Sequence, residues 1–175
     1  MGQPKPGVPM PDGRKMIEHV IEPLSRLCQK IVMMGDCRGF SIPQQQNFIA
    51  LADDPPGKGS LSAIATLLKS GIDPDGYLVV ACDQPFLTPD LLRLLIGEKA
   101  RVPSIFQPEP DEMLTPFPGY YPVCWLPKIQ SELASGQYGI CNAILKNGFE
   151  TVSLPKEGRG LIRNINTPTD LETLF

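Results

Sequence analysis

A chain of 175 residues with 42% hydrophobic and 20% charged residues has the composition of one ordinary soluble globular domain, so residues 1–175 are expected to share a single core. A formal net charge of −3 gives no support for a nucleic-acid partner, because binding a phosphate backbone calls for a basic face. No window approaches the roughly 18 apolar residues of a membrane span, and the opening residues lack a signal-peptide core, which makes the cytoplasm the default compartment.

Residues 1–13 are punctuated by proline and glycine and read as loop. From Arg14 onward Met16, Ile17, Val20, Ile21, Leu24 and Leu27 follow helical spacing, with Pro23 in the last turn. Short apolar runs at 30–34 and 48–51 predict two strands, separated by a polar, turn-rich stretch reaching Gln46. Helix and strand in alternation suggest βαβ architecture. The loop Asp53-Asp54-Pro55-Pro56-Gly57-Lys58-Gly59-Ser60 then feeds a helix whose inward face carries Leu61, Ile64, Ala65 and Leu68. Glycines and a small hydroxyl residue at a helix start leave backbone N–H groups for an anion or a base edge, with Lys58 as an added charge. A glycine-rich turn that merely caps the helix explains the same residues, and the spacing does not match a Walker-type phosphate loop.

The run Tyr77-Leu78-Val79-Val80-Ala81-Cys82 is almost wholly apolar, as in a strand buried on both faces of a parallel sheet, and it ends on Asp83. Thr88-Pro89-Asp90 opens a helix with a cap hydroxyl and a first-turn proline. Asp83 therefore lies at a strand exit, where open α/β sheets bind ligands, and an ionised carboxylate there suits magnesium. A turn-forming or capping aspartate fits the local sequence equally well. Further along, a strand is predicted at 102–107, an acidic proline-rich loop at 109–117, a strand at 119–126, helices at 127–133 and around Ile140, Ala143 and Ile144, strands at 151–154 and 161–166, and a last helix from Thr167. The five cysteines form no C-x-x-C pair and predict buried reduced thiols, while the lone His19 makes a histidine-based triad improbable.

Five stretches, in order, resemble the molybdenum cofactor guanylyltransferases among the MobA-like nucleotidyltransferases. They are Met1-Gly2-Gln3-Pro4-Lys5, Ile17-Glu18-His19-Val20-Ile21, Gly57-Lys58-Gly59-Ser60-Leu61-Ser62-Ala63-Ile64, Ala81-Cys82-Asp83-Gln84-Pro85-Phe86-Leu87 and Asn164-Ile165-Asn166-Thr167-Pro168-Thr169-Asp170-Leu171. The resemblance implies a Rossmann-like three-layer α/β/α fold with a mostly parallel sheet. It implies transfer of GMP from GTP onto molybdopterin, with release of pyrophosphate and Mg2+ as the cofactor. In that frame Asp83 would ligate the magnesium and Lys5 would meet the nucleotide phosphates. Gly57, Gly59, Ser60 and Leu61 would hold the base, Asp54 would face the nucleotide, and Asn164 and Asn166 would line the acceptor site. GTP, the molybdopterin cofactor and cofactor-assembly or acceptor proteins are the expected partners.

Two departures qualify the resemblance. Members of the family begin with a strand and a glycine-rich loop, whereas this chain starts at the following Met-Gly, so the expected domain lacks its first strand and is N-terminally incomplete. Ser60-Leu61-Ser62-Ala63 stands where Pro-Leu-Ala-Gly is more usual, which leaves the choice of base open. A cytidylyltransferase, a sugar-phosphate nucleotidyltransferase and a non-catalytic binding protein remain as alternative readings.

Overall fold

The computed structural model describes residues 5–35, 47–97, 100–107, 113–167 and 170. The opening tetrapeptide, most of the turn-rich stretch before Gln46, the acidic half of the 109–117 loop and the body of the last helix lie outside the described residues. In chain order the elements are α1 (Met16–Ser25), β1 (Ile31–Met34), β2 (Phe48–Leu51), α2 (Gly59–Lys69), β3 (Gly76–Val79), α3 (Pro89–Arg93), β4 (Ser104–Phe106), β5 (Gly119–Pro122), α4 (Leu126–Ala134), α5 (Ile140–Asn147) and β6 (Glu150–Val152). Three short 3-10 turns, Lys5–Gly7, Val123–Trp125 and Lys156–Leu161, complete the set. The architecture is of the α/β class, and the chain divides into two compact units.

The first unit comprises residues 1–50, 80–93 and 155–175. Helix α1 buries Met16, Ile17, Val20 and Pro23, a stripe with helical period, and its start is closed by the Glu18 carboxylate accepting the Lys15 backbone N–H. His19 on this helix pairs with Asp12 at 3.1 Å, as a solvated or satisfied helix histidine should. Ahead of α1 the chain turns sharply through Pro11, Asp12 and Gly13. The Met10 N–H donates to the Arg14 carbonyl and the Met16 N–H to the Val8 carbonyl, so the segments before and after the turn run antiparallel. Val8, Met10 and Met16 pack with Ile165 and the partly buried Phe86 in one apolar cluster. This cluster docks the N-terminal segment onto the rest of the unit. Strands β1 and β2 form a separate two-stranded sheet, and α3 begins as expected, with the Thr88 carbonyl accepting the Leu92 N–H.

The second unit holds a four-stranded sheet in the order β3-β5-β4-β6. Strand β5 runs antiparallel to β3 and to β4, and β4 is parallel to β6. The sheet is thus mixed and not mostly parallel. The apolar run at 77–82 suggested a strand covered on both faces, but only Tyr77 in β3 is fully buried and the strand ends at Val79, so hydrophobicity alone did not fix its direction. Likewise the strand predicted at 119–126 gives way after Pro122 to a 3-10 turn and α4, whose start is set by Pro127 in its first turn. Helix α2 buries the predicted Leu61, Ile64, Ala65 and Leu68. Between α4 and α5 the buried Glu132 carboxylate receives Lys146 at 2.9 Å and Asn147 at 3.1 Å.

Two further expectations fail. The stretch 161–166 is no strand: the Lys156–Leu161 turn leads into irregular backbone, because the Ile165 N–H is used by a loop and not by a sheet neighbour. The thiols expected to be buried are not: none of the four described cysteines is fully buried, and Cys124 is exposed at the 3-10 turn.

Gly119 marks a close backbone approach in the sheet. A Cβ there would lie 2.7 Å from the Pro116 carbonyl and 3.0 Å from the Tyr121 ring, the tyrosine whose hydroxyl donates to that same carbonyl. Gly119→Ala is therefore expected to cost about 1–3 kcal/mol through overpacking, read as a lower denaturant midpoint with an unchanged m-value.

Candidate active site

In the first unit the chain beyond Val80 forms a tight loop carrying Asp83. Its geometry is set by Gln84, which is almost fully buried. The Gln84 Oε1 accepts the Ala81 N–H at 3.1 Å and its Nε2 donates to the Ile162 carbonyl at 3.0 Å. One residue back, the Asp83 carbonyl accepts the Ile165 N–H at 2.8 Å. Two irregular segments, which lack a sheet to satisfy their backbones, are thus laced to each other. Ile165 is itself completely buried, which anchors the tail segment at that point.

Onto this pair of segments the Lys5–Gly7 turn delivers a lysine. The Lys5 Nζ lies 2.7 Å from Asp83 Oδ2 and 2.6 Å from Asn166 Oδ1. Asp83 is buried and the lysine side chain is 37% exposed, so the pair joins an interior carboxylate to a cation that solvent can reach. The other carboxylate oxygen, Asp83 Oδ1, is buried without a hydrogen-bond partner among the described residues. An orphaned carboxylate oxygen is costly unless something binds it, and a hard divalent cation is its natural ligand. The donor set present, one free carboxylate oxygen, fits magnesium held partly by the protein and mostly by substrate oxygens. Among the described residues there is no cluster of three His, Cys, Asp or Glu that would build an all-protein metal cage.

Asn166 is held from behind. Asp170 Oδ2 accepts the backbone N–H groups of Asn166 and Thr167, each at 2.7 Å, while Thr167 Oγ1 accepts the Asp170 N–H at 3.2 Å. Those N–H groups of Thr167 and Asn166 hold the Asp170 carboxyl below its ordinary range. Arg163 lies with its guanidinium 5.3 Å from the centre of the Phe86 ring and donates to the Asp170 carbonyl at 3.3 Å.

In the second unit the glycine-rich loop leads into α2. Gly57 and Gly59 both have positive φ, +71° and +69°, so glycine is required there by conformation and not by space. The N-cap residue of α2, Lys58, makes no side-chain capping bond. Lys58, an expected mobile charge, sits over the Tyr138 ring at 4.4 Å. Ser60 is half-buried and Leu61 fully buried, while Asp54 is exposed, with its backbone N–H bonded to Thr66 Oγ1 at 2.9 Å. Of the two adjacent acids it is Asp53 whose Oδ1 is buried and unpartnered among the described residues.

Of the residues singled out in the sequence, Lys5, Asp83 and Asn166 meet. Asn164 does not join them: it is exposed and makes no hydrogen bond to another described residue. Gly57, Gly59, Ser60, Leu61 and Asp54 gather at the start of α2. Sequence reasoning passed over Gln84 and Asp170. A Thr-x-x-Asp pattern at 167–170 is a legible capping signal, whereas nothing local marks Gln84 as a brace to Ile162.

A carboxylate with one open oxygen beside a lysine, on an α/β framework, is equipment for handling phosphate charge, and comparison with known proteins defines the class as nucleotidyltransferase. The sequence profile of the "MobA-like NTP transferase domain" matches residues 1–152, and the chain belongs to that family. A curated relative from Rhodopirellula baltica, named "Probable molybdenum cofactor guanylyltransferase", is 26% identical over the whole of this chain and 85% of its own length. Among solved structures, molybdopterin-guanine dinucleotide biosynthesis protein A from Archaeoglobus fulgidus superposes with a TM-score of 0.75 at 25% identity, covering 98% of this chain and 89% of that one. The 2-C-methyl-D-erythritol 4-phosphate cytidylyltransferase from Thermus thermophilus shares the fold at 16% identity, with a TM-score of 0.70 over 97% of this chain and 91% of that one.

Removing the Gln84 side chain strands the Ala81 N–H and the Ile162 carbonyl. Gln84→Ala is expected to cost about 1–3 kcal/mol in chemical denaturation. The pH dependence has a definite sign. The Asp170 and Glu132 carboxyls are both held below their ordinary range, Asp170 by backbone N–H groups and Glu132 by the Lys146 ammonium and the Asn147 amide. Their contribution is therefore present above the unfolded carboxylate value of about 4 and is lost as pH falls further, so thermal melts are expected to shift down below about pH 4.

Proposed function

We propose that this chain transfers GMP from GTP onto the phosphate of molybdopterin in the molybdenum cofactor. The observation that carries the reading is the meeting of Lys5, Asp83 and Asn166, with Asp83 Oδ1 left open. The names of the relatives supply the substrates. In the reaction a phosphate oxygen of the acceptor forms a bond to the α-phosphorus of GTP, the α–β bridging bond breaks, and pyrophosphate leaves with its electron pair. Such chemistry asks the protein for positioning and charge neutralisation more than for covalent help.

Lys5 is assigned to the nucleotide phosphates: its ammonium exchanges a protein oxygen for a phosphate oxygen and holds the triphosphate in line. Asp83 would hold magnesium through Oδ1. Magnesium bound there would offset the charge that builds on the leaving pyrophosphate. Asn166 orients Lys5 before the nucleotide arrives. The backbone N–H groups opening α2, kept uncapped by the Gly57-Lys58-Gly59 conformation, are assigned to the base, and the exposed Asn164 to the acceptor side. No described helix is long and apolar enough to cross a membrane.

Two measurements test this reading. With GTP, CTP and magnesium, calorimetry should show magnesium-dependent binding of GTP over CTP; preference for CTP would assign cytidylyl transfer instead, the outcome that Ser60-Leu61-Ser62-Ala63 keeps in view. Asp83→Ala should lower magnesium-dependent transfer by about a hundredfold or more, with far-ultraviolet circular dichroism unchanged. Turnover retained in that variant would remove Asp83 from the reaction.

A further inference from the structure

Asn166 offers a neutral amide oxygen to Lys5 from an exposed position, and its side chain makes no other hydrogen bond among the described residues. Its orientation must come from its backbone. On one side that backbone is fixed by Ile165, completely buried and bonded through its N–H to the Asp83 carbonyl. On the other side a single oxygen, Asp170 Oδ2, takes two successive N–H groups, those of Asn166 and Thr167, at 2.7 Å each. Two bonds converging on one charged acceptor fix the plane of the peptides they come from more firmly than one neutral bond could. Thr167 Oγ1 returns a bond to the Asp170 N–H, and Arg163 bonds the Asp170 carbonyl while its guanidinium lies near the face of Phe86, three residues past Asp83.

We propose that Asp170 is a positioning residue: its carboxylate holds the backbone of Asn166 so that the amide oxygen sets Lys5 beside Asp83. The chain of contacts runs Asp170, Asn166, Lys5, Asp83, every bond in it between 2.6 and 2.7 Å. Asp170 touches neither Lys5 nor Asp83 in any described contact. It acts through Asn166, and without it the asparagine loses the constraint on one side while Ile165 stays in place. The catalytic consequence rests on the proposed nucleotidyl transfer; the positioning itself does not.

The test reads Lys5 directly. The full chain is treated with an amine-acylating reagent, and the rate at which the Lys5 peptide is modified is followed by mass spectrometry in wild type, Asp170→Ala, Asn166→Ala and the double variant. Releasing Asn166 frees the ammonium from one acceptor, so the Lys5 rate should rise about fivefold in Asp170→Ala, a factor set by the net worth of one hydrogen bond. Asn166→Ala should raise it by a similar factor, and the double variant should go no further than either single one, because both changes cut the same chain. Asp170→Asn, which keeps an acceptor oxygen, should recover most of the protection; it also serves as the measurable variant should alanine fail to fold.

An Asp170→Ala rate equal to that of wild type in a folded protein overturns the proposal, as does multiplication of the two effects in the double variant. With nucleotide turnover as a second readout, Asp170→Ala should raise the KM for GTP more than it lowers kcat. A merely structural role would instead reduce the folded fraction, and with it kcat at constant KM. If the acylation series behaves as expected while no form transfers a nucleotide, the proposed function falls and the positioning role stands.

Discussion

The ammonium of Lys5 meets oxygens from residues 78 and 161 positions away in sequence, and this three-way contact is the one on which the arrangement of the first unit turns. Asp83 is 7% exposed, and an ionised carboxylate so far out of water is tolerable only with a partner close by. Lysine supplies that partner at the cost of ordering an N-terminal segment that has no sheet or long helix to hold it. The ordering is offset by apolar burial: Val8, Met10 and Met16 close onto Ile165 and Phe86, residues that adjoin Asn166 and follow Asp83. Charge pairing and hydrophobic docking therefore select the same conformation.

How much of this could be read from the sequence depended on the range of the signal. Helices α1, α2 and α5 were legible because their apolar residues recur at the period a helix imposes. The stretch 161–166 misled for a related reason: Leu161, Ile162 and Ile165 are apolar enough for a strand, but the last is buried as an anchor for a loop, and burial without alternation says little about the backbone. Strand direction was equally invisible, since a short apolar run looks the same whether its neighbour is parallel or, like β5, antiparallel. Asp83 stood out locally, as an acid terminating a dry segment. Lys5 could not: its role arises from contacts made across most of the chain, and only the resemblance to a family pointed to it. Asn164 and Asn166, two residues apart, looked equivalent in sequence and are not, because the backbone pinned at Ile165 and Asp170 presents Asn166 to Lys5 and leaves Asn164 in solvent.

The two units present their polar groups in different ways. At the start of α2 the donors are backbone N–H groups, kept free by a loop whose two glycines adopt left-handed conformations, and the nearby lysine is occupied by an aromatic ring. Around Asp83 the groups are charged side chains, and their charges balance before any ligand arrives. A balanced pair has low standing cost, and an anion that reaches the ammonium has to displace one of its contacts.

The order of opening follows from the strengths of the partners. Lys5 donates to one carboxylate oxygen and one neutral amide oxygen, and a bond to an ionised acceptor is roughly twice as strong as one to a neutral acceptor. An anion arriving at the exposed side of Lys5 therefore exchanges first against Asn166, while the bond to Asp83 persists. Because Asp83 commits only Oδ2 to the lysine, its second oxygen stays available throughout that exchange. A single buried carboxylate can thus hold the lysine through one oxygen and present the other without a partner among the described residues.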